Sequence, residues 1–262
     1  MPKVTILEKL YGPVKPTTLE EHYSSLVSGL KVQLRFAGTT NRKWIKLDIY
    51  GEDENVALSL LNRDIGLTPT SVKDIEKFAV IRGKIIFSNK KDNELFVDLG
   101  IETPNVLDAV ISTTQLRAQL ADGQECSLQS LVELFCLYDN MPIEVKIIEK
   151  TGRTKGTVEG ILSERQLALF YGWIRSRFDR LIILGSFLTD VKQAVMLSKH
   201  SRDVIKTESL GLFEQVVLCK LGTDAVGLIP KIGRYLKSAV LIPFSPKKIF
   251  DAIGNQPFNW AE

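Results

Sequence analysis

The stretch from Arg82 to Ile101, RGKIIFSNKKDNELFVDLGI, constrains the fold more than any other part of the chain. Apolar and polar side chains alternate on both sides of a polar, turn-forming segment. Side chains along a strand point alternately to opposite faces, so this period of two predicts two strands joined in a hairpin. One face of the hairpin then packs a core, and the question is what the other face does.

The 262 residues exceed the roughly 100–200 of a usual domain, and 44% of them are hydrophobic, which is enough for sizeable cores. The chain is predicted to be α+β with three parts. The order β-α-β-β-α over residues 1–76 predicts a ferredoxin-like α+β sandwich that lacks or borrows its last strand. Residues 77–150 are predicted to form a β-barrel with one helix. Alternating strands and helices over residues 151–262 predict a mixed α/β domain.

Several classes of protein are disfavoured by the sequence. No apolar run reaches the roughly 18 residues of a membrane span, and the first 16 residues lack the features of a signal peptide. Cys126, Cys136 and Cys219 show no CxxC spacing, so we expect reduced thiols in a cytoplasmic protein. His22 and His200 have no partner at ligand spacing, which argues against a metal site or a catalytic triad.

Enzyme signatures are also missing. The glycine-containing segments LGTDAVG and KTGRTKG fit neither a Walker A loop nor GxGxxG, and no pair of carboxylates has a spacing that demands acid and base roles. We therefore expect no catalytic residue and no small-molecule cofactor. The alternative, a nucleic-acid-processing enzyme, would require a carboxylate cluster that only the fold assembles.

The segments VIRGKII, ELFVDLGI, DAVIS and MPIEVKIIEK follow one another over residues 77–150. In this order they resemble the strands of an S1-type OB barrel, with a glycine in the first strand and Val-Asp-Leu-Gly ending the second. The resemblance implies an RNA-binding fold for this part of the chain.

Three longer stretches carry a second resemblance: LRAQLADGQ at 116–124, ELFCLYDNMPIEVKI at 133–147 and CKLGTDAVGLIPKIGRYL at 219–236. Through them the chain resembles an uncharacterised archaeal family, domain-of-unknown-function family 2110. The resemblance transfers no activity, and its archaeal setting implies work alongside translation, transcription or RNA-processing machinery.

Strand alternation identifies the outer face of the predicted barrel. Inward-facing Ile81 and Ile85 leave their neighbours in the first strand pointing outward, and the same reasoning applies to the second and last strands. An aromatic ring among cations is what OB folds use to stack bases and hold phosphates. The alternative is that this face packs against a neighbouring domain. The predicted RNA-binding residues here are Arg82, Lys84, Phe96 and Lys146.

Positive charge is concentrated in the last part of the chain. Residues 151–262 carry sixteen basic and ten acidic side chains, which makes an anionic partner more plausible there. The connector after the predicted barrel supplies Lys150, Arg153 and Lys155. Arg175 and Arg177 end a predicted helix, and the helix macrodipole alone would explain them.

The segment GLIPKIGRYL adds Lys231, Arg234 and Lys237 around Tyr235. Cations contact phosphate and tyrosine can stack on a base, so this cluster is also predicted to bind RNA. Together these residues suggest a non-catalytic factor that binds RNA or a ribonucleoprotein, with the ribosome or RNA polymerase as possible partners and no membrane. The alternative is a protein-interaction adaptor that docks on such a complex.

Overall fold

A computed structural model describes residues 3–12, 14–69, 75–86, 93–102, 105–150, 152 and 156–254 of the chain. They form two compact units: Met1–Asp74 with Leu99–Val106, and Ile75–Asp98 with Leu107–Glu262. Both contain helices and strands, so the fold is mixed α+β, as predicted. The division into three domains at residues 76 and 150 stays a prediction.

The first unit contains a three-stranded antiparallel sheet with two helices. The strand order is β1-β3-β2. Backbone hydrogen bonds from Leu7 to Gly66 and from Thr68 to Thr5 place a short segment along β1. This segment lies where a ferredoxin-like sandwich would need its last strand, although the ferredoxin-like assignment itself stays a prediction. The elements are β1 (Lys3–Lys9), α1 (Pro16–Leu26), β2 (Val32–Thr39), β3 (Trp44–Gly51) and α2 (Glu54–Asp64).

Helix α1 begins at a proline. Lys15 is its N-cap, and Pro16 lies in its first turn. Proline fits there because its fixed φ suits a helix and its missing N–H would have no partner within the helix. Leu19 and Tyr23 then face the core with no exposed surface.

The second unit begins with a closed five-stranded barrel in the order β4-β5-β6-β8-β7. Strands β6 and β8 pair in parallel, and the pairs β4–β5, β4–β7 and β7–β8 are antiparallel. Two helices join β6 to β7. The elements are β4 (Val80–Ile86), β5 (Glu94–Ile101), β6 (Leu107–Ser112), α3 (Thr113–Leu120), α4 (Leu128–Phe135), β7 (Pro142–Glu149) and β8 (Thr157–Leu162).

Apolar side chains alternate with polar ones along these strands, and the apolar side chains fill the barrel, as predicted. Ile85, Val97, Val145 and Ile147 are all fully buried. The barrel closes with Thr157–Leu162, which lies beyond the predicted domain boundary at residue 150. Its partner β6 precedes it by about 50 residues, so their parallel pairing leaves no local turn signal in the sequence.

A four-stranded antiparallel sheet completes the second unit, in the order β10-β11-β9-β12. Every residue of β9 and β11 is buried, because other elements cover both faces of the central strands. The elements are α5 (Glu164–Arg175), β9 (Arg180–Leu184), α6 (Leu188–Leu197), β10 (Val204–Ser209), β11 (Glu214–Cys219), α7 (Ala225–Gly233), β12 (Val240–Phe244) and α8 (Pro246–Ile253).

Different elements cover the two faces of this sheet. Leu181, Ile183 and Val217 share a core with apolar residues of α6 and α7. On the other side an edge-to-face aromatic series links α4 and α5 to β12, since the rings of Trp173 and Phe244 lie 5.2 Å apart. The series also includes the pairs Phe135–Phe170 and Phe170–Trp173. Helix α4 therefore serves as core packing.

Candidate nucleic-acid interface

Lys84 does not face solvent, so that part of the sequence prediction is wrong. Its side chain is 2% exposed, and its Nζ lies 2.6 Å from Oε2 of Glu214, which is itself fully buried. The residue does alternate with inward-facing Ile85, as expected. Strand β11 supplies the partner, so the C-terminal sheet covers the barrel at this position and removes Lys84 from any RNA surface.

A third charged residue lies in the same buried region. Asp98 is fully buried and stands opposite Lys84 in the pairing of β4 with β5. Taking charges out of water is costly unless opposite charges compensate. The lysine and the two carboxylates therefore form part of the connection between the barrel and the sheet.

The other predicted residues of the barrel face are accessible to different degrees. Arg82 is exposed, whereas Phe96 is half-buried. Lys146 is partly exposed and pairs with Glu164 of α5, with 3.3 Å between Nζ and Oε1. With Lys84 removed, the predicted face does not form one continuous cationic surface.

The connector after β7 is only partly described. Lys150 follows the last strand residue, Glu149, and is exposed. Arg153 and Lys155 lie outside the described residues. These three residues remain predicted RNA contacts.

The cations after α7 do come together with their tyrosine. We call Lys231, Arg234, Tyr235 and Lys237 the α7 cluster. The guanidinium carbon of Arg234 lies 5.6 Å from the centre of the Tyr235 ring, and Nε of Arg234 donates to the carbonyl of Lys231. Arg234, Tyr235 and Lys237 are exposed, and Lys231 is half-buried.

Helix geometry explains how this cluster is held. Asp224 caps α7 by accepting a hydrogen bond from the backbone N–H of Val226, and Leu228 and Ile232 anchor the helix in the core. The hydroxyl of Tyr235 donates to the carbonyl of Leu197 at the end of α6, 3.1 Å away. The GLIP segment lies within this helix.

Sequence reasoning missed two features near these sites. Met196 and Leu197, at the end of α6, are 63% and 47% exposed, although the helical pattern alone gives no sign of it. Arg165, in the first turn of α5, was also missed. It lies near Glu144 of the barrel, a neighbour that only the folded chain provides.

The described residues offer little for covalent or metal chemistry. Burial raises the pKa of both the Cys136 and Cys219 thiols to about 12, so neither is a ready nucleophile near neutral pH. Within the described ranges, no three His, Cys, Asp or Glu side chains gather to hold a metal ion. The helices seen in those ranges are also too short or too polar to cross a bilayer.

Comparison with known families bears on the second unit. Residues 178–242 match the family model of the DUF2110 C-terminal domain. The matched segment includes the central strands of the sheet and the α7 cluster, and it supports the DUF2110 resemblance seen in CKLGTDAVGLIPKIGRYL. No curated protein matches the chain.

Solved structures give a weaker likeness. The intact alpha subunit of aIF2 from Pyrococcus abyssi matches over 65% of this chain and 96% of its own length, with 10% sequence identity and a TM-score of 0.24. At that score the two backbones differ too much for the likeness to bear on fold or function.

Proposed function

We propose that this protein is a non-catalytic RNA-binding factor whose main contact surface is the α7 cluster. The observation that carries the proposal is the exposed pairing of the Arg234 guanidinium with the Tyr235 ring, between Lys231 and Lys237. Guanidinium and ammonium groups bind phosphates, and an exposed aromatic ring offers a surface on which a base can stack.

The charges of the α7 cluster support this proposal. Within the described part of the chain, none of Lys231, Arg234 and Lys237 forms an ion pair with an acidic side chain. Their positive field is therefore not neutralised locally. The partial negative charge at the end of α7 lowers that field without cancelling three full charges.

The barrel supports the proposal in a secondary way. Its strand order, with β6 and β8 parallel and the two helices before β7, is compatible with an OB fold. Arg82, Phe96, Lys146 and Lys150, with Arg153 and Lys155, are proposed as additional contacts of a longer RNA. Such a factor would act on RNA alone or on a larger complex such as the ribosome or RNA polymerase.

Filter binding of a mixed-sequence single-stranded RNA at low salt tests the proposal. The variant K231E/R234E/K237E should lose RNA retention, because it replaces attraction to the phosphates by repulsion. The matched variant K192E/R202E/K247E changes the same charge at exposed positions elsewhere and should retain RNA. If the wild-type protein retains no RNA, or if both variants bind equally well, the proposal fails.

A protein-interaction adaptor is the second candidate, and one observation favours it. Met196 and Leu197 expose apolar surface beside Tyr235, and exposed apolar patches often mark protein contacts. Binding of a protein partner through this patch would persist at high salt and survive ribonuclease treatment. Substituting Met196 and Leu197 by serine would then abolish capture of the partner and leave RNA retention unchanged.

A further inference from the structure

A second candidate binding site lies in the second unit of the chain, between the barrel and α5. It is a pocket of about 430 Å³ lined by residues of β4, β7 and α5 and by the end of β10. Its volume falls in the range of roughly 300–1,000 Å³ typical of small-molecule sites. We call it the arginine pocket, after Arg82 and Arg165 in its wall.

Glu144 holds the two arginines near each other without occupying their hydrogen-bond donors. Its Oε2 lies 3.8 Å from Nε of Arg82 and 4.0 Å from Nη1 of Arg165. These distances allow electrostatic attraction but exceed hydrogen-bond length. Ser163 donates from its Oγ to Oε1 of the same carboxylate at 2.6 Å, which fixes the carboxylate in place.

The guanidinium groups therefore keep their donors for another partner. Neither Arg82 nor Arg165 makes a side-chain hydrogen bond within the residues that the structure describes. Arginine presents its donors in a planar fork that matches phosphate and carboxylate oxygens. Two such groups outnumber the single Glu144 carboxylate between them, and the remaining positive charge favours an anion with several oxygens.

Gln166 adds an unsatisfied donor to the wall of this pocket. It lines the pocket and is only 6% exposed, and its Oε1 accepts from the backbone N–H of Glu144 at 3.1 Å. Its Nε2 is buried and finds no acceptor among the described residues. Buried donors in native proteins are almost always paired, so the protein alone does not fully satisfy the wall around Gln166.

We propose that the arginine pocket binds an organic phosphate of nucleoside-monophosphate size. Arg82 and Arg165 contact the phosphate. Ile143, Leu169 and Leu210 provide an apolar wall for the organic part. This site uses none of the residues of the α7 cluster, so it does not depend on the proposed RNA binding there.

Isothermal titration calorimetry of the full chain with AMP tests this proposal. Wild-type protein should give saturable binding, and R82Q/R165Q should weaken it by at least about tenfold, because both charge-assisted contacts are lost. K192Q/R202Q removes the same charge from exposed positions outside the pocket and should bind AMP as the wild type does. Adenosine and inorganic phosphate, each lacking half of the ligand, should bind more weakly than AMP.

A competition arm distinguishes the source of the phosphate. Displacement of AMP by a short RNA with a 5′-phosphate, but not by the same RNA without it, would identify an RNA terminus as the ligand. Displacement by neither RNA would identify a free nucleotide, and either result supports the site. The proposed site is overturned if the wild type shows no saturable AMP binding, or if the wild type and R82Q/R165Q bind AMP with equal affinity. Neither result depends on how the K231E/R234E/K237E variant affects RNA retention.

Discussion

Lys84 shows how a single residue changes the interpretation of a surface. Its position on the outer side of a barrel strand follows from its sequence, but its environment depends on Glu214, 130 positions later. Alternation specifies the side of a strand that a residue occupies and says nothing about what covers that side. The buried ion pair is therefore a property of the assembled unit and not of the hairpin alone.

Replacing Lys84 by an apolar residue should lower the stability of the folded protein. K84M leaves Glu214 and Asp98 buried with less positive charge, so we expect a loss of about 3–5 kcal/mol in the free energy of unfolding. Denaturant unfolding followed by circular dichroism measures it. R82M, at an exposed position of the same strand, should change stability by less than about 1 kcal/mol.

The double variant K84M/E214M provides the decisive comparison. Because it removes both members of the ion pair and leaves Asp98 as the only one of the three buried charges, it should recover part of the stability lost in K84M. A K84M protein as stable as the wild type would show that the buried pair does not hold the barrel to the sheet.

Burial also sets the reactivity of the three thiols. Cys136 and Cys219 are buried, with pKa values raised to about 12, whereas Cys126 is partly exposed. The thiolate is the reactive form, so iodoacetamide at pH 8 should label Cys126 first in the native protein. Mass spectrometry after a time course gives the order, and rapid native labelling of Cys136 or Cys219 would contradict the described core.

At the scale of elements, the sequence predicts where strands form but not how every strand pairs with its neighbours. The segments ELFVDLGI and MPIEVKIIEK carry a clear period of two, and the structure confirms a strand in each. The place of β8 in the barrel depends instead on parallel pairing with β6 and on antiparallel pairing with β7. Those contacts are set by tertiary packing, which local patterns do not encode.

Helix α5 supplies a prediction at this scale, because its cap also supports the arginine pocket. Ser163 accepts from the backbone N–H of Gln166 at 3.1 Å and donates to Glu144. S163A should therefore lower the free energy of unfolding by about 1–2 kcal/mol. S59A, at an exposed position inside α2, should stay within about 0.5 kcal/mol in the same denaturant titration, and equal effects of the two changes would argue against the capping role.

At the scale of the whole molecule, the candidate sites were only partly predictable. The α7 cluster was visible because its members are close in sequence and surround a tyrosine. The arginine pocket was not, because Arg82 and Arg165 are 83 positions apart and meet only when α5 packs beside the barrel. Charge asymmetry along the chain indicated the basic C-terminal part without showing which cations stay unpaired.

The salt dependence of RNA affinity tests the central claim most directly. Each phosphate contact with single-stranded RNA contributes about −0.7 to the slope of log K against log salt concentration. Replacing Lys231, Arg234 and Lys237 by glutamine should therefore make the slope shallower by about 2 and weaken binding at low salt. An unchanged slope and affinity in this variant would contradict RNA binding by the α7 cluster.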